Sequence, residues 1–267
     1  QEVTPTPVKR AAQEAGIDRI LQPEDVKSDA FAEAIAALDP DVIAVVAYKI
    51  LPPKVYEQAS KGAFNLHGSL LPKYRGAAPI NWAIINGETK TGVTTFFLRE
   101  KVDTGNLILT KEMDIGPNET AGEVHDRMKE LGAEAVVETV RRIEQDGVET
   151  TTQDDAEATP APKIHTGDCE ISWDESGEDV HNFIRGLSPY PGAWTTHDGI
   201  RLKIYRSRRA EGEGAPGEIL EADDGLRVAC GTGAVELVTI QQPGKRRLSA
   251  TDFLNGYSLT KGDRLGT

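Results

Sequence analysis

The chain has 267 residues, more than one domain of about 100–150 residues and fewer than three, so two domains are expected. Its 43 acidic and 30 basic side chains leave a net charge of -13, which excludes coating nucleic acid through net charge and leaves a local basic face as the route to an RNA partner. No run approaches the ~20 apolar residues of a bilayer span, Gln1-Glu-Val-Thr-Pro has no cationic segment before an apolar one, and Cys169 and Cys230 stand without CxxC spacing or a paired His; no membrane partner, secretory leader, disulfide framework or metal is therefore expected, and a reducing cytoplasm is.

Apolar spacing in the first two-thirds switches between helical and strand periods, the pattern of alternating β and α units around a parallel sheet. Val8 to Ala15 reads as a helix behind Pro7, and Ser28 to Leu38 as another, capped by Ser28-Asp29. Val42-Ile-Ala-Val-Val-Ala is continuous and β-branched, as in a strand buried on both faces. Further strands are expected at Ala63 to His67, Val93 to Leu98 and Leu107 to Thr110. The longest helix is expected from about Thr120 to Glu144, with Thr120 and Glu123 as a capping box and Val124, Met128, Leu131, Ala135, Val140 and Ile143 as its apolar stripe.

Gln145 to Pro162 is polar and without apolar period, so a linker is expected there, at residues 147–167 between a first domain at 1–146 and a second at 168–267. The second domain starts with a strand at Cys169 to Trp173 and a short helix carrying Val180, Phe183, Ile184 and Leu187. Strands follow at Trp194 to Thr196, Leu202 to Arg206, Gly217 to Leu220, Leu226 to Cys230 and Val235 to Ile240, with Gly231-Thr-Gly233 as a hairpin turn. A small, OB-like antiparallel β-barrel is the expected arrangement.

Chemistry is densest at Phe64-Asn-Leu-His-Gly-Ser-Leu-Leu-Pro-Lys-Tyr-Arg-Gly-Ala-Ala-Pro. Asn65 and His67 are two apart, so on a strand both emerge on one face, at the carboxyl edge where open α/β sheets bind ligands. Asp103 arrives from the loop Arg99-Glu-Lys-Val-Asp-Thr-Gly105. An amide donor, an imidazole and a carboxylate are what acyl transfer to an amine needs. Singly, Asn-x-His is more often a structural pair and Asp-Thr-Gly more often a turn; the combination is what points to catalysis.

Together these residues resemble the formyltransferase family that uses 10-formyltetrahydrofolate, and within it most closely the methionyl-tRNA formyltransferases. The resemblance rests on Asn65-Leu-His67-Gly-Ser-Leu-Leu-Pro72, Arg75-Gly-Ala-Ala-Pro79-Ile, Thr91-Gly-Val-Thr94 and Val102-Asp103-Thr-Gly105, and extends through Trp173, Pro189-Tyr-Pro191 and Pro216-Gly, nearly the whole chain. It implies a Rossmann-like parallel-sheet domain followed by the barrel, a monomer, transfer of formyl from 10-formyltetrahydrofolate to initiator Met-tRNA without a metal, and Asn65, His67 and Asp103 as the catalytic set. It also implies a folate site at Lys49, Ile50, Leu51, Ser69, Leu70, Leu71, Pro72, Glu100 and Val102. For the tRNA it points to Arg75 and two basic clusters, Arg201, Lys203, Arg206, Arg208 and Arg209, then Lys245, Arg246 and Arg247; a solvated barrel edge blunted by charge is the other reading of those clusters.

Relatives place a β-α-β unit before a Thr-Pro-x-Pro-Val-Lys type segment, whereas this sequence opens at Thr4-Pro-Thr-Pro-Val-Lys9. A fragment is therefore expected, with strand edges and apolar surface left open. Two other functions compete: a formyltransferase acting on an amino sugar nucleotide, and an inactive tRNA- or folate-binding remnant. Ala77-Ala78, Ser188-Pro-Tyr-Pro and Gly-Lys245-Arg-Arg favour the tRNA enzyme.

Overall fold

The computed structural model describes residues 4–145 and 148–266. Helix α1 (Pro7–Glu14) opens on a proline, whose missing N–H costs nothing in a first turn, and the Thr6 hydroxyl accepts from the Lys9 N–H. Helix α2 (Asp29–Ala36) is capped by the Ser28 hydroxyl, as expected. There follow β1 (Ile43–Val46), α3 (Pro53–Tyr56), β2 (Ala63–His67), the short β3 (Arg75–Gly76), α4 (Pro79–Ile85), β4 (Lys90–Phe97), β5 (Leu107–Asp114) and α5 (Ala121–Glu144). No described helix is long and apolar enough to cross a membrane.

The first sheet has the order β1-β2-β4-β5. Strands β1 and β2 run parallel, Ile43 opposite Ala63, whereas β4 runs antiparallel to both β2 and β5. The parallel arrangement expected from βα alternation is thus carried by β1 and β2. The connection from β4 to β5 spans only residues 98–106, shorter than the dozen or so that a parallel crossover needs. Strand β1 differs from expectation. Among the described residues it pairs with β2 alone and stands at the sheet edge, so Val46 is half exposed, and Tyr48 and Ile50 beyond it are open to water.

Helix α5 covers one face of this sheet. Its capping box forms as expected: the Thr120 hydroxyl accepts from the Glu123 N–H, and the Glu123 carboxylate accepts from the Thr120 N–H at 2.9 Å. Val124, Met128, Ala135 and Ile143 are buried, but Leu131 is only half-buried and Val140 is exposed. Thr139 is buried instead, its hydroxyl 2.7 Å from that of Thr95 on β4. Phe64 packs with Ile143 and Leu66 with the middle of α5. The strand period of two therefore sends Asn65 and His67 to the opposite face.

The expected domain boundary at 146–147 lies outside the described residues. Much of the rest of the expected linker is bound to elements of the first domain. Thr151 and Leu107 exchange backbone hydrogen bonds, β6 (Pro160–Ala161) pairs with β3, and the Trp82 indole donates to the Pro162 carbonyl at 2.8 Å. The strand expected at Cys169 to Trp173 is reduced to one bridge, Glu170 to Trp194, after a 3-10 turn at Thr166–Cys169.

Helix α6 (Gly177–Gly186) precedes β7 (Ala193–His197), β8 (Ile200–Ala210), β9 (Ile219–Ala222), β10 (Leu226–Ala229), β11 (Ala234–Gln241), β12 (Leu248–Ser249) and α7 (Ala250–Leu254). The antiparallel sheet runs β7-β8-β11-β10-β9, with β12 on β11, and the Gly231–Gly233 turn links β10 to β11 as expected. Its two edges are joined by the segment after α7. The Leu265 N–H donates to the Gly217 carbonyl ahead of β9, and the Gly266 N–H donates to the Thr196 carbonyl of β7, both at 2.8 Å. Ile184, Leu187, Leu202, Ile204, Ile219, Leu226, Leu237, Ile240 and Phe253 fill the core. Helix α6 also packs on α4 and binds the loop ahead of α5: Arg185 donates to the Gly116 and Glu119 carbonyls, and His181 Nε2 to the Pro117 carbonyl at 3.0 Å. Burial lowers the His181 pKa, as expected for an imidazole whose Nδ1 accepts from Ser207.

Candidate active site

Strand β2 ends at His67, whose ring is buried. Beyond it Gly68-Ser-Leu-Leu-Pro72 turns the chain back, with a cis bond before Pro72. The turn is fastened from inside: the Ser69 hydroxyl donates to the Lys73 carbonyl at 2.6 Å, and Thr94 of β4 donates to the Ser69 carbonyl at 2.7 Å and accepts from the Leu71 N–H. This brings the Tyr74 carbonyl 2.8 Å from His67 Nε2. A carbonyl oxygen only accepts, so Nε2 carries a proton. His67 Nδ1 is left facing Asp103 Oδ2 at 3.9 Å, beyond hydrogen-bond length and within reach of an ion pair once Nδ1 is protonated.

Asp103 is buried and its backbone is left-handed, φ +56°, a conformation that costs a non-glycine residue roughly 1–3 kcal/mol and persists only where the surroundings impose it. Three bonds do so. The Gly76 N–H donates to Asp103 Oδ2 at 3.0 Å, and the Gln153 side-chain amide donates to the Asp103 carbonyl at 3.0 Å and the Gly105 carbonyl at 2.8 Å. The glycines of both motifs are required by close approach. A Cβ on Gly76 (φ +132°) would sit 2.5 Å from the Ala161 carbonyl oxygen, and one on Gly105 would sit 1.6 Å from that of Phe97. Asn65, half-buried between Val45 and Phe96, shares the His67 face, and among the described residues no group is hydrogen-bonded to its amide. The structure thus brings the three expected catalytic residues to one face.

The residues expected to hold folate differ in exposure. Lys49, Ile50, Glu100 and Val102 are exposed, and Leu51, Leu70 and Pro72 are half-buried. Ser69 and Leu71 are buried with internal partners, so they shape the turn from behind. A surface hollow of about 610 Å³ between residues 53–63 and 97–100 includes Glu100, and Asn65, His67 and Asp103 are not on its lining.

The basic clusters are divided by the fold. Arg206 pairs with Glu123, whose pKa burial would raise, but Thr120 and Arg206 bring it down to about 2. Arg209 lies 3.3 Å from Glu178, and Arg208 stands opposite Glu236 in the register of β8 and β11. Arg75, expected at the tRNA, is mostly buried and donates to Gln153 through Nε and Nη2 and to Asp155 through Nη1 at 2.7 Å. A second group collects around the turn at 189–192. Lys203 donates to the Pro191 carbonyl at 2.9 Å, Arg247 stacks 3.6 Å from the Tyr205 ring centre and donates to the Pro189 carbonyl, and Arg201 lies over Trp194. Lys245, Arg246 and Tyr190 are exposed beside or within these segments.

Residues 1–140 match the formyl transferase family and residues 163–258 the formyl transferase, C-terminal domain. A methionyl-tRNA formyltransferase of Chlorobium phaeovibrioides is 48% identical over 100% of this chain and 85% of its own. The chain belongs to the methionyl-tRNA formyltransferase family. Among solved structures, the methionyl-tRNA formyltransferase of Clostridium thermocellum aligns at TM-score 0.60 and 21% identity over 77% of this chain and 88% of that one. An N-formyltransferase of Helicobacter canadensis, in complex with folinic acid and dTDP-3-aminofucose, aligns at TM-score 0.58 and 21% identity over 73% and 70%. At these identities the two structures share a fold with this member of the family.

Sequence reasoning missed three groups of this site: the Tyr74 carbonyl, the Gly76 N–H and Gln153. Two are backbone atoms, to which side-chain chemistry gives no clue. Gln153 lies in Thr-Thr-Gln-Asp-Asp, where no apolar period marks a buried position.

Proposed function

We propose that the protein transfers the formyl group of 10-formyltetrahydrofolate to the α-amino group of methionyl-tRNA, the initiator, through Asn65, His67 and Asp103. The observation that carries this assignment of roles is the buried His67 and Asp103, 3.9 Å apart on the face that Asn65 shares. The folate supplies an electrophilic formyl carbon, and the aminoacyl-tRNA supplies an amine that must shed a proton. Asn65, whose amide has no partner among the described residues, donates to the formyl oxygen as charge develops on it. His67 keeps its Nε2 proton on Tyr74 and exchanges protons at Nδ1, the ring nitrogen that faces Asp103. Ile50 and Val102, both exposed, fit an apolar contact to the folate ring system and support keeping the folate site on that side of the sheet.

For the tRNA we assign phosphate contact to Arg201, Lys203, Lys245, Arg246 and Arg247 around residues 189–192, ahead of Arg206 and Arg209, which already face carboxylates. Lys245→Glu with Arg246→Glu should weaken tRNA binding and flatten its salt dependence by about two counterions; an unchanged slope moves the interface elsewhere. Two domains, with the second beginning near residue 168, are supported by the separate cores and the two family matches. The decisive test is formyl transfer by His67→Ala, expected to fall about 10²–10³-fold with Met-tRNA as acceptor. Turnover near that of the parent would remove the catalytic assignment, and a preference for an amino sugar nucleotide would replace the acceptor.

A further inference from the structure

We infer that Gln153 is a positioning residue that sets the backbone of Asp103 and couples it to Arg75, an inference resting on the catalytic reading of Asp103. Gln153 is buried and all its hydrogen-bonding capacity toward this loop is used. Its amide nitrogen has two N–H groups and spends them on the Asp103 and Gly105 carbonyls; its oxygen takes both Nε (3.1 Å) and Nη2 (2.7 Å) of Arg75. Only a side chain with two donors and an acceptor at this length fits. Glutamate would accept from Arg75 but set a charged oxygen against two carbonyls, and asparagine is one methylene short.

The clamp closes as a ring. From Arg75 the next residue, Gly76, donates its N–H to the Asp103 carboxylate, so Gln153 fixes the Asp103 main chain while also fixing the strand that holds its side chain. Arg75 is anchored on its far side by Asp155, two residues beyond Gln153. The other two points of this ring, Asp103 and Arg75, are 50 and 78 residues from Gln153 in sequence, so the segment between the two sheets acts as part of the site. Without the clamp, the left-handed residue and the loop around it are free to relax, and the carboxylate leaves His67 Nδ1.

Formyl transfer should be measured for Gln153→Glu and Gln153→Met, each made in the parent and in an Asp103→Asn background, with melting temperatures recorded for all. In the parent, kcat should fall about 10–100-fold while KM for both substrates stays within about threefold, since the side chain touches neither. In Asp103→Asn either change should cost less than about twofold more, because the loop then has nothing to position. The same loss in both backgrounds, a loss confined to KM, or a loss that tracks a fall in melting temperature would overturn the inference, as would parent-like kcat. Should Gln153→Met fail to fold, Gln153→Glu, nearly isosteric with the parent residue, carries the test; failure of both to fold would make the role structural and overturn it too. If Asp103→Asn alone leaves turnover unchanged, the catalytic reading of Asp103 falls first, which is a separate result from a silent Gln153 beside an impaired Asp103→Asn.

Discussion

Phe253 and His67 are both almost hidden from water, the first at 1% and the second at 6% exposure, and opposite kinds of force hold them there. Phe253 sits in one continuous apolar core that extends from Cys169 to Leu265, stacked on Tyr257. His67, which donates to the Tyr74 carbonyl, sits under a turn, a loop and a returning segment joined by hydrogen bonds from Ser69, Thr94, Gly76 and Gln153. Apolar packing is non-directional and tolerates small shifts, whereas a hydrogen-bonded ring fixes direction and position. The barrel can therefore supply stability while the sheet edge supplies geometry.

The largest expected effect tests the first half of that contrast. Phe253→Ala should cost about 3–5 kcal/mol in denaturant unfolding of the second unit, with kcat of the folded fraction unchanged; a drop in kcat at intact stability would show that the core feeds the site. Asn65→Ala is the converse. Its amide bonds no described residue, so it should raise the activation barrier by about 3 kcal/mol while the melting temperature stays within a few degrees.

His181 joins the two regions, and its titration sharpens the comparison. Its folded pKa lies below the unfolded value of about 6.5, so the unfolded chain binds the extra proton first as pH falls. The stability from the neutral, bonded ring is full above that value and is lost as pH drops through it. The melting temperature should fall between pH 7.5 and 5.5, and less steeply in His181→Gln. The smallest effect is expected at the open edge, where Val46→Thr should change stability by no more than about 0.5 kcal/mol; a larger loss would mean that something packs on β1.

Much of this was legible in the sequence, where periodicity and caps carry the information. Helix α5 and β2 begin and end where Thr120, Glu123 and the 63–67 pattern place them, and Asn65 and His67 share a strand face as their spacing of two implies. What was not legible depends on neighbours distant in sequence. Val42 to Ala47 has the composition of a central strand, but pairing on one side alone decides its exposure. Nothing in the sequence around Arg75 shows that its guanidinium is held by Gln153 and Asp155, 78 and 80 residues further on. The polarity of 150–162 is that of a linker, yet its polar groups satisfy the loop carbonyls beside Asp103.

The seam between Thr196 and Gly217 has a consequence for the order of events on the ribosome. Those carbonyls wait for residues 265 and 266, which follow every strand of the barrel in the chain. With roughly 67 residues between β7 and Leu265, synthesis at about 5–20 residues per second leaves the Thr196 end of β7, beyond its bridge to Glu170, without this partner for ~3–13 s. Through that interval the nascent sheet is unclosed at this seam, and nascent chains translated side by side can trade the segment carrying Leu265 and Gly266 before each one closes on its own.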